Sequence, residues 1–129
     1  MNASIDTDIV IHLYGSGKDE LIFHFFDQLY MHVYLFEQEL KVKGALIYQK
    51  VSADAKKGRI KIVSNKDLAS MGIQGLFERY KRDYEYLFDS GELYAVSMAK
   101  AMGLVAFLSD DTKEFGPHET LVNDSVLAK

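Results

Sequence analysis

Carboxylates are the residues of this chain best placed to do chemistry. Asp6 and Asp8 stand near the start, Glu37 and Glu39 in the first third, Glu92 in Asp89-Ser90-Gly91-Glu92, and Asp110 and Asp111 just after an apolar run. Like charges gathered in one place repel, and their ionisation is suppressed unless a cation intervenes. An all-oxygen ligand set suits Mg²⁺ or Mn²⁺, which keep part of their water and accept substrate phosphate. One or two such ions activate water and stabilise a phosphodiester displacement. That chemistry needs no serine, cysteine or histidine in the active role. Every one of these segments also has a structural use. Asp89 and Glu92 have capping-box spacing. Asp6-Thr7-Asp8 and Asp110-Asp111-Thr112 suit turns or caps. Glu37 and Glu39 suit a solvated helix face. Only joint placement favours a site.

The pattern of elements supplies that placement. Ala3-Ser4-Ile5-Asp6 reads as a short strand, with Thr7 or Asp8 capping the helical spacing of Ile9, Val10 and Leu13. After Gly15-Ser16-Gly17, Asp19 can cap a helix whose face is Leu21, Ile22, Phe25, Phe26 and Leu29. Tyr30 to Phe36 reads as a strand entering a helix, and the helix continues to about Lys50. Arg59 to Val63 alternates as a strand. Leu76, Phe77, Tyr80, Tyr84, Leu87 and Phe88 follow helical spacing. Leu93, Val96, Ala99 and Met102 share one helical face, with Gly103 as its stop. Leu104 to Leu108 is a continuous apolar run, the mark of a strand buried on both faces. A closing strand around Thr120-Leu121-Val122 is weakly signalled. Alternating strands and helices predict a single α/β domain over residues 1–129, a three-layer α/β/α fold with a mostly parallel central sheet. In such sheets ligands bind beyond the carboxyl ends of the strands. Asp6 and Asp110 end strands there, Glu92 opens the helix feeding the last long strand, and Glu37 and Glu39 open the helix after the second.

Composition bounds the partners. The 129 residues have 48% apolar and 26% charged side chains, as a globular domain does. With no cysteine there is no disulfide framework or thiolate site, which fits a reducing cytosol. No apolar run approaches the roughly 18 residues of a membrane span, and the N-terminal residues lack the pattern of a secretory signal. A cytoplasmic protein is therefore expected. The net charge of −4 argues against a general nucleic-acid binder. Between Lys41 and Lys66, however, eight basic residues face Asp54 alone, a local +7, while the remainder carries −11. The four histidines show no metal spacing. Gly15-Ser16-Gly17-Lys18 lacks the full phosphate-loop pattern.

The acid positions also carry a family resemblance. Ile5-Asp6-Thr7-Asp8-Ile9-Val10, Glu39-Leu40, Gly91-Glu92-Leu93-Tyr94-Ala95 and Phe107-Leu108-Ser109-Asp110-Asp111 resemble, in order and spacing, the motifs of PIN-domain proteins, the metal-dependent nuclease fold of many bacterial toxin ribonucleases. The resemblance spans nearly the whole chain. It implies an endoribonuclease in which Asp6, Glu39, Glu92 and Asp110 act as catalytic acids and hold Mg²⁺ or Mn²⁺. Asp111 and Asp8 lie beside them, and Glu37 is the fallback for Glu39. It further implies an RNA substrate, with the +7 segment as a candidate contact surface, and a protein inhibitor of the toxin–antitoxin kind. A homodimer is compatible with the many aromatics. The rival reading is a non-catalytic module that kept the fold.

Overall fold

Ala3 and Ile5 alternate with Ser4 along the first strand, and all three are buried. Both faces of this strand are thus covered, which places it inside a sheet with helices on either side. The computed structural model describes the backbone of residues 1–111 and 116–121 and the side chains of residues 1–109. Its strands are β1 (Asn2–Ile5), β2 (Gln28–His32), β3 (Ile60–Val63), β4 (Ala106–Asp111) and β5 (Gly116–Leu121). They lie in the order β3-β2-β1-β4-β5. The first four are parallel, and β5 returns antiparallel beside β4. The closing strand is therefore longer than its sequence signal and starts earlier. It includes Pro117, which an edge strand tolerates because an outward-facing N–H is not needed for pairing.

The helices are α1 (Thr7–Gly15), α2 (Asp19–Phe25), α3 (Lys41–Lys43), α4 (Ala45–Lys56), α5 (Asn65–Ser70), α6 (Gln74–Tyr84) and α7 (Ser90–Met102), with a π-helical segment at Leu35–Leu40. The register puts Ala3, Ile5, Leu29, Met31, Ile60 and Ile62 on one face of the sheet. There they form one core with Val10, Tyr14, Phe36, Leu40 and Val51 from α1, the π segment and α4. The opposite face packs Val63 with Leu68, Phe77, Met98 and Ala101 from α5, α6 and α7. The expected three-layer α/β/α arrangement with a mostly parallel sheet is present.

Local details depart from the sequence pattern. Asp6 caps α1, taking over from Thr7 and Asp8: its side chain accepts from Ile9 N–H at 3.0 Å. Lys18 precedes α2 with no side-chain cap, and Asp19 sits inside the first turn, where its negative charge complements the positive end of the helix dipole. The single helix expected from Phe36 to Lys50 is broken. Gly44, at φ −154° and ψ 82°, ends α3, and α4 restarts and runs to Lys56. In α7 the buried set is Ala95, Val96, Met98, Ala99 and Ala101 with Ser97, so the helix is enclosed over a wider arc than one stripe. Gly103 ends it at φ 70°, a left-handed cap that glycine adopts without strain.

Buried polar groups hold the layers in register. His32 lies stacked on Phe77, with ring centroids 5.1 Å apart. Its Nδ1 accepts from Tyr34 N–H at 3.0 Å, so Nε2 is the protonated nitrogen and donates to Asn65 Oδ1 at 3.0 Å. Burial pushes its pKa down. This is a satisfied neutral core histidine. On the other face Tyr14 donates its hydroxyl to Asp54 Oδ2 at 2.6 Å, joining α1 to α4, and Arg59 stands 3.6 Å from the same carboxylate. Asp54, the lone acid of the basic segment, is thereby an internal counter-charge. Tyr14→Phe is expected to lower stability by about 1–3 kcal/mol, because a buried carboxylate loses a donor. Urea denaturation measures it, and an unchanged midpoint would show that Arg59 alone satisfies Asp54.

Candidate functional site

β1 ends at Ile5, and the next residue must turn the chain into α1. Asp6 does so with its backbone N–H bonded to Leu108 O at 3.2 Å, which ties the turn to β4. Its carboxylate caps the helix from inside the protein, with only 3% of the residue exposed. A cleft of about 210 Å³ opens beside it. The walls come from three places: Asp6, Thr7 and Asp8 at the start of α1; Glu39 on the π segment with Lys43 on α3; and Asp89, Ser90 and Gly91 at the start of α7.

Glu39 is aimed into this cleft by two devices. Thr7 Oγ1, on a residue 1% exposed, donates to Glu39 Oε1 at 2.8 Å. Gly91 leaves room for the same oxygen: a Cβ built on Gly91 would stand 3.0 Å from Glu39 Oε1. The π turn widens the helix locally and shifts side chains off the ordinary helical register, and such segments often occur at functional sites. Glu37 is directed elsewhere. Its Oε1 accepts from Tyr48 Oη at 2.9 Å, and its Oε2 lies 3.8 Å from Lys41 Nζ.

Glu92 approaches from the first turn of α7. Asp89 Oδ1 accepts from Glu92 N–H at 2.9 Å, which is half of the capping box. The Glu92 side chain reaches across to the sheet, where Ser109 Oγ donates to Oε2 at 3.0 Å. Ser109 is the residue before Asp110 on β4. The backbone of Asp110 follows Leu108, which accepts from Asp6, by two residues. The side chains of Asp110 and Asp111 lie outside the described residues. Asp8 is exposed, with Lys43 Nζ 3.7 Å from its Oδ1.

The electrostatics follow from this crowding. Asp6 is pushed up to about 8, first by burial and then by the charges of Asp8, Glu92 and Asp89, against the opposing pull of the Ile9 N–H. A carboxyl in that condition is short of positive charge. The lining offers carboxylates and a hydroxyl, the hard oxygen donors that Mg²⁺ and Mn²⁺ take. Among the described residues, no group of three or more His, Cys, Asp or Glu side chains stands close enough to hold a metal ion. The chemical character of the donors therefore fits a hard divalent cation, while the described side chains are short of a closed ligand set.

Sequence reasoning passed over three participants. Asp89 was legible only as a cap, yet it lines the cleft. Lys43 was one of eight basic residues until the fold brought it to Asp8. Ser109 carried no signal, since a serine in an apolar strand is usually a tolerated small residue.

The pH dependence has a definite sign. Asp6 keeps its proton in the folded protein up to about pH 8, whereas an unfolded Asp releases it near 4. The folded state binds more protons across that window, so this group's contribution to stability falls as pH rises from about 4 to about 8. Asparagine caps a helix as well as aspartate and carries no charge. In the presence of a chelator, Asp6→Asn is expected to be more stable than the parent at pH 7.5, on the order of a few kcal/mol. The advantage should shrink toward pH 4. Thermal melts across pH measure it, and a variant less stable than the parent at pH 7.5 would contradict the assigned state of Asp6.

No protein-family model, curated protein or solved structure matches this chain, so its geometry and chemistry carry the functional reading.

Proposed function

We propose that this chain is a PIN-like, metal-dependent endoribonuclease. The observation that supports this most is the meeting of four chain segments at the carboxyl edge of a parallel sheet. Asp6 and Glu39 line one cleft, Asp6 is bonded to β4 through Leu108 O, and Glu92 is bonded to Ser109, the neighbour of Asp110. In the proposed mechanism Asp6, Glu39, Glu92 and Asp110 would hold Mg²⁺ or Mn²⁺, with Asp8 and Asp111 as further acids of the same segments. Such an ion would supply a lowered water pKa and neutralise phosphate charge.

The protein's own groups have distinct roles. Asp6 would be held as a carboxylate by a bound cation, and its position is already set by the helix cap. Thr7 and Gly91 orient Glu39. Ser109 orients Glu92, as donors behind metal ligands commonly do. Lys43, paired with Asp8 at the cleft, is placed to meet a phosphate oxygen as a point charge. Within the basic stretch, Lys41 and Lys43 on α3, the helix that supplies part of the cleft wall, add sequence-independent attraction for the RNA backbone. A cytoplasmic setting and an inhibitor protein belong to the same proposal. Among the described residues, no helix is long and apolar enough to cross a membrane.

A second reading has its own support. Thr7, Lys43 and Ser109 engage Glu39, Asp8 and Glu92. A non-catalytic module would use these contacts as structure.

Mn²⁺-dependent cleavage of single-stranded RNA separates the two. Asp6→Asn and Asp110→Asn are each expected to reduce it to background while the circular dichroism spectrum stays native. Full activity in both variants, or no heat of Mn²⁺ binding at millimolar metal, favours the module. Ser109→Ala is expected to weaken Mn²⁺ binding by about 10–100-fold, measured by titration calorimetry.

A further inference from the structure

The basic segment has a second structural property. Among the described residues, β3 is the outermost strand of the sheet on its side and pairs with β2 alone. The free side of such a strand presents backbone N–H and C=O groups that can pair with another chain. Natural edges are commonly covered by a helix or loop. Here both faces of the strand open into grooves.

On one face a groove of about 460 Å³ runs along Ile60 and Ile62 and is walled by Phe36, Ala55 and Lys56. On the other face a groove of about 280 Å³ follows Lys61 and Val63 and is walled by Tyr30, Met71 and Met102. Met71 is 49% exposed within it. Side chains of a strand point alternately to opposite faces. A strand added beside β3 would therefore send alternate side chains into the two grooves. This is the arrangement of strand-addition recognition, in which the main chain gives affinity and pockets for alternate residues give selectivity.

Charge decides the occupant. Lys56 and Lys61 line the grooves and Lys57 follows α4. Among the described residues, no carboxylate lies within 4 Å of these three ammonium groups. The acid of the second groove, Asp67, is committed to the Ser64 cap through its Oδ2 and the Ser64 N–H at 2.9 Å. A second copy meeting this edge would set lysine against lysine, which is unfavourable across paired strands. RNA has no strand of amides to offer. The observations therefore favour a polypeptide of opposite charge.

We propose that the free edge of β3 takes up an extended acidic segment of a partner protein as a sixth strand, with apolar side chains in the two grooves and carboxylates at Lys56 and Lys61. The edge is separated from β1, which leads into Asp6, by β2, so this site is distinct from the acidic cleft.

The test uses the full chain with a chelator present. The probe is a fluorescein-labelled decapeptide of repeating order valine-valine-glutamate-glutamate, which presents both residue types to each groove, read by anisotropy. Saturable binding is expected, with slowed amide exchange at residues 60–63. Lys61→Glu and Lys56→Glu, whose melting temperatures are checked against the parent, should each weaken it at least tenfold. Methylating every second peptide nitrogen should do the same, because it removes strand hydrogen bonds. Arg82→Glu on α6 should leave binding unchanged. No binding at millimolar protein, equal binding of the methylated peptide, or insensitivity to Lys61→Glu would overturn the proposal. So would displacement of the peptide by oligouridylate, which assigns the surface to RNA, or a dimer in sedimentation that Lys61→Glu dissolves, which assigns it to a second copy.

Discussion

The Asp6 carboxyl is the constraint around which this molecule is arranged. It closes the turn between β1 and α1, caps the helix through Ile9 N–H and sits almost wholly out of water. Burial, and after it the charges of three further carboxylates, push its pKa up to about 8. A polar group in such a position costs stability unless something repays it. The helix cap offsets part of that cost, and the proposed cation would offset the rest. Strongly shifted carboxyls of this kind cluster at functional sites.

Both helical layers contribute to the arrangement. From one face of the sheet, Thr7 and the π segment deliver Glu39. From the other, α7 delivers Glu92 to Ser109 and supplies Gly91, whose missing side chain leaves space for Glu39. The two faces meet only beyond the carboxyl edge of the parallel strands, which is why the cleft forms there. Net charge takes on a different meaning in this light. Several acids behind the overall −4 are gathered at one edge. The opposing lysines fall into two groups. Lys43 faces the acids, and Lys56 and Lys61 line the free edge of β3.

Much of the architecture was legible in the chain. Alternation at residues 59–63, the apolar run ending at Leu108 and the glycine at 103 each correspond to an observed element, because local pattern and burial agree there. The failures have physical causes. Periodicity does not register a backbone break at Gly44 or a widened turn at Leu35–Leu40, since apolar residues continue through both. Asp6, Thr7 and Asp8 are all acceptable caps by type, and it is Asp6 whose extended backbone, tied to Leu108 O, stands at the cap. Glu37 and Glu39 could not be separated by spacing. The π turn sends one to Tyr48 and the other to Thr7.

Sequence by itself determined the class of fold and the inventory of acids, because strand and helix periods and the order of segments are local properties. It also located the positive charge. Tertiary structure decided which acids share a cleft, that Asp54 and His32 are internal and satisfied, and that Thr7, Gly91 and Ser109 shape the surroundings of the glutamates. Those outcomes depend on contacts between residues that stand far apart in the chain, such as Thr7 with Glu39, and no local pattern encodes such a distance. The free edge of β3 is likewise a property of strand order, which exists only once the sheet has formed.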